Sequence, residues 1–317
     1  NHFECMWDLF KSIPSIVNPG ETIFSEYYYL NKEDPNFSLC RVTEKQGQDA
    51  HTDRKYGLTP GAATQLLKLF MSTNKSLEDK KIDDIFDDEF YATNFWTYWQ
   101  TMFAFEKWHS ALEMKLYLQR YIHHIGGLPD FTALRFTRYN QYESMILPMC
   151  KYITDHGGKI LYDTTVTNIV CDCTPEKKVA KKIEYTQGGV EKVIDLTEDD
   201  LVICTNGCQG DASAYGDNTH APVVTVKNGE GPSIEMWKKI AAQDPAFGRP
   251  EKFFAGIKET SWESWTVDTA NKQILDAIQK ICKRDPLSGK VVTGGIVTVK
   301  DSSWLLSWTI NRQPQFR

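Results

Sequence analysis

The sequence predicts an α/β protein, and three features carry that prediction. A long aromatic-rich stretch from Phe95 to Ile125 repeats apolar residues at spacings of three and four, the period of a helix. Gly157-Gly158 then stops the helical pattern, and short alternating runs take over between Lys159 and Cys204, the period of strands. Those runs end in the apolar Leu201-Val202-Ile203-Cys204 and the turn Thr205-Asn206-Gly207. With 317 residues, 41% of them hydrophobic and 25% charged, the chain can bury a core in one large domain or two smaller ones, which excludes global disorder.

Taken in order, residues 1 to about 60 mix short apolar pieces with polar loops. Gly61 to Met71 reads as a helix with Leu66, Leu67 and Phe70 on one stripe. The acidic run from Asp83 to Glu89 alternates with apolar residues and lacks the glycine of a calcium loop, so it reads as a solvated helix start. In the stretch from Phe95, the residues Trp108, Ala111, Leu112, Leu118, Tyr121, Ile122 and Ile125 form one face, Met114 and Tyr117 a second, and Gly126-Gly127 caps the end. A helix apolar nearly all round is expected to be buried on most sides. Gln141 to His156 reads as another helix, interrupted at Pro148 and stopped by the glycine pair.

Strands are expected at Lys159–Tyr162, Val166–Val170, Ala180–Tyr185, Lys192–Leu196 and Leu201–Cys204, with Gly188-Gly189 supplying a turn. From about 208 to 250 the composition shifts to Gly, Pro, Asn and Asp, a boundary or a long excursion. A helix near Thr269 to Lys283 and strands at Val291–Lys300 and Trp304–Ile310 complete the chain.

The formal net charge of −6 argues against nucleic-acid binding by phosphate neutralisation. No apolar run reaches the length of a membrane span, and no basic-then-apolar signal peptide opens the chain. The chain starts at Asn1 and ends on Gln315-Phe316-Arg317 without a stop pattern, so it reads as an internal segment of a longer protein. Its eight cysteines lie mostly in apolar stretches and form no C-x-x-C. That pattern points to reduced thiols in the cytoplasm and to no structural metal. Asp49, His51 and Asp53 have ligand-like spacing, but His51 reads as a loop residue or an active-site neighbour. The pair His123-His124 near a helix end suits the helix dipole.

A hydrophobic strand delivering the chain to a glycine lets backbone pass close to a dinucleotide cofactor, although no G-x-G-x-x-G occurs. Whole blocks also match a known family. These are His2 to Phe10, Tyr29 to Pro35, Gly47 to Asp53, Thr101 to Glu106, and the longest, from Trp108-His109-Ser110-Ala111-Leu112-Glu113-Met114-Lys115-Leu116-Tyr117 to Arg138-Tyr139-Asn140-Gln141-Tyr142-Glu143-Ser144. In them the chain resembles the flavin-dependent oleate hydratases, formerly called myosin-cross-reactive antigens. The likeness runs over essentially the whole chain and is weakest at about 172–200 and 210–290.

The resemblance implies an α/β fold with part of a Rossmann-like FAD-binding domain and a helical and β substrate-binding region. Residues 1–157 would be the largely helical active-site region, 158–209 part of the FAD domain, and 210–317 a substrate region with strands. It implies a hydro-lyase that adds water, without net redox change, to the cis double bond of a long-chain unsaturated fatty acid. An alkene is a very poor base, so a proton donor must sit on one face while a base holds water on the other. By block position the family's donor tyrosine falls on Tyr117, with Tyr121 one turn on as competitor, whereas residue pattern alone favours a core aromatic at Tyr117. Gln141 matches a residue near the reacting carbons, and equally suits the start of a helix.

The family's water-activating glutamate precedes the position of Asn1, and Glu4 does not match that role. Thr309 and Asn311 match the pair that holds the substrate carboxylate, and their period-2 spacing puts both on one strand face. Hydrogen bonds to a charged group contribute roughly 1.5–3 kcal/mol each, and the alkyl chain about 0.8 kcal/mol per buried methylene. Flavin contacts fall on Val166, Gly207 and Cys208, with Cys208 where relatives often carry serine. The resemblance further implies a homodimer, with peripheral membrane contact through regions outside this segment. Two other functions suit the same residues: a flavin-dependent fatty acid isomerase or oxidoreductase, and a lipid-binding protein without catalysis.

Overall fold

A computed structural model describes residues 4–132, 134–205, 213–223, 231–256, 259–288 and 292–311, the side chains of 292–295 and 311 excepted. In chain order these residues form α1 (Glu4–Phe10), α2 (Ile23–Glu33), β1 (Val42–Glu44), β2 (Gln48–Asp49), α3 (Pro60–Met71), α4 (Asp88–Tyr91), α5 (Asn94–Phe103), α6 (Ala111–Tyr121) and α7 (Leu147–Asp155). There follow β3 (Thr164–Cys173), β4 (Lys178–Gln187), β5 (Val190–Asp195), α8 (Pro232–Ala241), α9 (Pro250–Phe253), α10 (Lys272–Cys282), β6 (Val292–Val299) and β7 (Leu306–Asn311). The architecture is mixed α/β, with two separate sheets. The chain divides into two compact units, Asn1–Gly158 with Asp268–Arg317, and Lys159–Val267. The expected third region, 210–317, is therefore shared between them.

The first unit is built on an aromatic core. Phe90, Phe95, Trp96, Tyr98, Trp99 and Phe105 are all buried, joined by Met114 and Leu118 from α6. Burying each large apolar side chain contributes about 1.5–3 kcal/mol. Thr93 caps α5 by accepting from the Trp96 N–H, and Ser110 caps α6 by accepting from the Glu113 N–H. The single long helix expected from Phe95 is thus two helices. Ala104 takes the left-handed conformation, φ 56°, and ends α5; Ser110 starts α6 seven residues after Phe103. The apolar period runs through the break because both helices face the same core.

α6 is not buried on most sides. Its buried residues are Ala111, Met114, Lys115 and Leu118, while Leu116 and Tyr117 are exposed. Lys115 is buried among them because its ammonium donates to the Ser72 carbonyl (2.6 Å) and to Asn74 Oδ1 (2.8 Å). Similarly, α3 buries Ala62 and Leu69 and leaves Leu67 exposed, so the expected stripe is rotated by a residue or two. The acidic run starts a helix as expected, Asp87 accepting from the N–H groups of Glu89 and Phe90 at the head of α4. Pro148 sits in the first turn of α7, after a π-helical turn at Tyr142–Ile146, so it begins the α-helix and does not interrupt it. Gly157, at φ 82°, turns the chain so that the Gly158 N–H closes onto the Ile153 carbonyl.

The sheet of this unit has the order β2-β1-β6-β7. β1 pairs with β6 in parallel, Val42 opposite Thr298, which joins the start of the chain to its far end. β6 and β7 are antiparallel, with Ile296 opposite Thr309 and Val292 opposite Asn311 across an irregularity.

The second unit contains the antiparallel sheet β3-β4-β5, and Gly188 and Gly189, both at positive φ, turn β4 into β5 as the sequence predicts. On it lies α8, whose Met236 and Ile240 pack with Ile169 of β3. The expected strands at Lys159–Tyr162 and Leu201–Cys204 enter no ladder among the described residues. Leu201 and Ile203 are 85% and 78% exposed. An apolar run of strand composition becomes a strand only where another strand supplies its hydrogen bonds.

Candidate active site

Tyr117 belongs to the last half of α6, with its ring held at two edges. Phe103, the last residue of α5, meets it at 5.5 Å between centroids and 76°. The buried Phe105 meets it at 5.3 Å and 88°. Both are edge-on contacts of the kind aromatic quadrupoles favour. The turn from Ala104 to Ser110 makes this possible, since it folds the end of α5 back onto α6. Inside that turn the Glu106 N–H donates to His109 Nδ1 (2.9 Å), which leaves the neutral ring's proton on Nε2. Burial lowers the His109 pKa and raises that of the Glu106 carboxyl, against the pull of Lys107. Tyr117 is nonetheless 43% exposed, so the core position expected from the helical pattern is only half enclosed.

Tyr121 is the more enclosed phenol. Its ring stands edge-on to the other side of this aromatic group, 4.9 Å from Phe103. Its buried hydroxyl has no hydrogen-bond partner among the described residues. Burial pushes its pKa up to about 12, with the Arg41 guanidinium acting in the opposite direction.

The other nominated residues are spread over the fold. Gln141 is exposed at the head of the π-helical turn and caps nothing with its side chain. Thr309 is exposed on β7, and Asn311 ends the same strand two residues on. Val166 is in the second unit, on the outer strand β3, exposed and opposite Tyr185 at a register irregularity. Gly207 and Cys208 lie outside the described residues. A cleft of about 370 Å³ in the second unit is lined by Ile169, Ala180, Val202, Trp237 and Phe247 among others, and none of the nominated residues lines it.

The Asp49–His51–Asp53 triple is a backbone feature. His51, Asp53 and Arg54 all have positive φ, and the His51 N–H donates to Asp49 Oδ1 (2.8 Å). The Asp49 carboxylate is paired with Lys283 at the end of α10. Burial raises its pKa, but that ion pair and the His51 N–H outweigh burial and hold it below the usual carboxylate range. Strained non-glycine backbone of this kind costs about 1–3 kcal/mol per residue.

Sequence reading passed over Arg41. Its guanidinium is buried, donating to Thr298 Oγ1 (2.8 Å) and Thr101 Oγ1 (2.9 Å). Burial lowers its pKa to about 10, which still leaves it charged at neutral pH. The available signal was a lone arginine inside the otherwise apolar run Leu39-Cys40-Arg41-Val42.

The MCRA family profile matches residues 1–317. The chain is 46% identical over 318 residues to an oleate hydratase of Streptococcus pyogenes serotype M49 (strain NZ131), covering all of this chain and 53% of that protein. It is 30% identical over 325 residues to a linoleate hydratase of Lactiplantibacillus plantarum, covering 98% of this chain and 56% of that one. The chain therefore spans about half the length of the curated relatives it matches. With a family match from its first residue to its last, this chain belongs to the MCRA family.

Proposed function

We propose that the protein containing this chain is a fatty acid hydratase, adding water across the cis double bond of a long-chain unsaturated acid of the oleate type. The observation that carries this reading is the 46% identity to an oleate hydratase across the whole chain. In this reading Tyr117 Oη gives its proton to one alkene carbon while water adds to the other. The proton shed by the water keeps the sum at alkene plus water to alcohol. The base that takes that proton is assigned to no residue of this chain. Phe103 and Phe105 support the assignment, because two edge contacts restrict the phenol ring to a narrow range of positions. Gln141 would lie beside the reacting carbons, and Thr309 with Asn311 would hold the carboxylate end.

The same reading includes FAD and a Rossmann-like domain contributed in part by the second unit. An exposed apolar edge suits a flat ring system, and Val166 on the outer strand offers one in the unit that also exposes Leu201 and Ile203. Val166, Gly207 and Cys208 are the residues that would hold the cofactor. Because hydration is redox-neutral, bound flavin would supply position and electrostatics with no net transfer of electrons. A cytoplasmic homodimer with peripheral membrane contact completes the reading.

The test is Tyr117→Phe in the complete protein supplied with oleate. Product carrying the mass of one added water should vanish while FAD remains bound. Unchanged turnover would remove Tyr117 from the role, and net consumption of a nicotinamide cofactor in step with product would replace hydration with redox chemistry.

A further inference from the structure

The guanidinium of Arg41 is 3% exposed and has no ion pair among the described residues. Its neighbours are neutral. Nη1 donates to Thr298 Oγ1 (2.8 Å) and, at 3.4 Å, to the Ile296 carbonyl; Nη2 donates to Thr101 Oγ1 (2.9 Å). Its faces are covered by the rings of Phe131, at 4.9 Å, and Tyr98, at 5.4 Å. Nε–H is buried with no acceptor among the described residues. Hydroxyls and ring faces solvate a cation without neutralising it, and an unpaired charge held away from water is costly. A fold that keeps such a charge, and places Phe131 at φ 66° to cover it, leaves a positive field with no anion of its own.

That field borders β7. Ile296, whose carbonyl accepts from Arg41, is the cross-strand partner of Thr309, and Thr298 is opposite Ser307. Directly opposed residues in an antiparallel pair are about 4.5–5.5 Å apart at Cα. The buried cation is thus held on β6, the strand that pairs directly with the one carrying Thr309 and Asn311. In such surroundings charge acts at longer range than in water.

We propose that Arg41 is the counter-charge for the carboxylate end of the substrate, a specificity residue that makes the Thr309 end of the site select an ionised acid over a neutral head group. The proposal rests on the reading of Thr309 and Asn311 as the carboxylate-holding pair, and it adds to their neutral hydrogen bonds the charge they lack. Arg41 acts here through the strand and need not touch the ligand, so it is a positioning residue.

The test compares oleate with oleyl alcohol, the same chain with a neutral end, in the complete flavin-loaded protein. Arg41→Gln should weaken oleate binding about ten-fold, and raise its KM with little change in kcat, while oleyl alcohol affinity stays within about two-fold. Arg41→Lys keeps the charge and should keep the preference for the acid. Equal weakening of both ligands, or no weakening of oleate, overturns the proposal. Should the Gln variant fail to fold, loss of acid preference in the Lys variant overturns it equally. Thr309→Val separates the two ideas. If it lowers oleate affinity and Arg41→Gln does not, the counter-charge falls and the carboxylate pair stands; if neither variant separates acid from alcohol, both fall.

Discussion

The phenyl ring of Phe105 meets the phenol of Tyr117 edge to face, 5.3 Å between centroids and at 88°. One ring is buried and the other is half exposed, so the contact backs the exposed phenol with a ring packed in the core. Phe105→Ala should cost about 3–5 kcal/mol, the range for emptying an aromatic site in a packed core. Phe105→Leu should cost less, and should lower kcat more than it raises KM because Tyr117 loses an edge contact. Chemical denaturation and steady-state kinetics of the two variants check this.

Tyr117 and Tyr121 are separated by one helical turn and share Phe103, yet their surroundings differ. As the proton donor, Tyr117 should lose about 10²–10⁴ in kcat on change to Phe, the usual span for general acid catalysis. Its half-exposed ring makes that substitution nearly neutral for stability. Tyr121→Phe removes a buried hydroxyl that has no partner among the described residues, so it should be neutral or mildly stabilising with activity within ten-fold. Reversal of the two kinetic results would move the donor one turn along α6.

The Asp49–Lys283 pair ties the loop before His51 to the end of α10. The folded Asp49 pKa is held below its ordinary 3.8, so its share of stability is present above that value and lost as pH falls through the folded one. The Lys283 pKa is raised above its ordinary 10.5, chiefly by the hydrogen bond to Asp49. Its share is complete below 10.5 and lost as pH rises through the folded value. Asp49→Asn should therefore cost a constant amount from about pH 5 to 9, with the difference from wild type closing at both extremes. Because Lys283 is half exposed, about 0.5–1 kcal/mol is the expected size. Thermal melts of both proteins across pH measure it.

Gln243, just after α8, closes the open edge of β3. Its Oε1 accepts from the Cys171 N–H (2.7 Å), and its Nε2 donates to the Ile169 carbonyl (2.9 Å). Those two bonds take the place of a missing neighbouring strand. Gln243→Ala should destabilise the second unit by about 1–3 kcal/mol. Amide exchange at Cys171 should accelerate while exchange in α5 and α6 does not change.

Much of the fold was legible because local chemistry sets it. Alternating residues around Gly188-Gly189 specify a hairpin, and Asp87 ahead of Glu89 and Phe90 specifies a helix start, whatever surrounds them. The two helices hidden in the Phe95 pattern were not legible. Nothing in the spacing reveals that Ala104 turns left-handed, since alanine is the residue least expected to leave a helix. Leu67, Tyr117 and Ile122, expected on apolar faces, are exposed. Apolar residues on two faces of a helix look alike in a sequence until packing chooses one.

For the candidate site, sequence alone settled kinship, through identities unbroken across several blocks, and with it which side chains to examine. It could not show that Phe103 and Phe105 bracket Tyr117, or that Arg41 is buried against β6 with no ion pair among the described residues. The first depends on the turn between α5 and α6, and the second joins residues 41 and 298, distant along the chain, which the parallel pairing of β1 with β6 brings together. Short-range steric and hydrogen-bond preferences are written residue by residue. The field around a buried charge, by contrast, depends on every group that surrounds it in space, and that is decided by the tertiary fold.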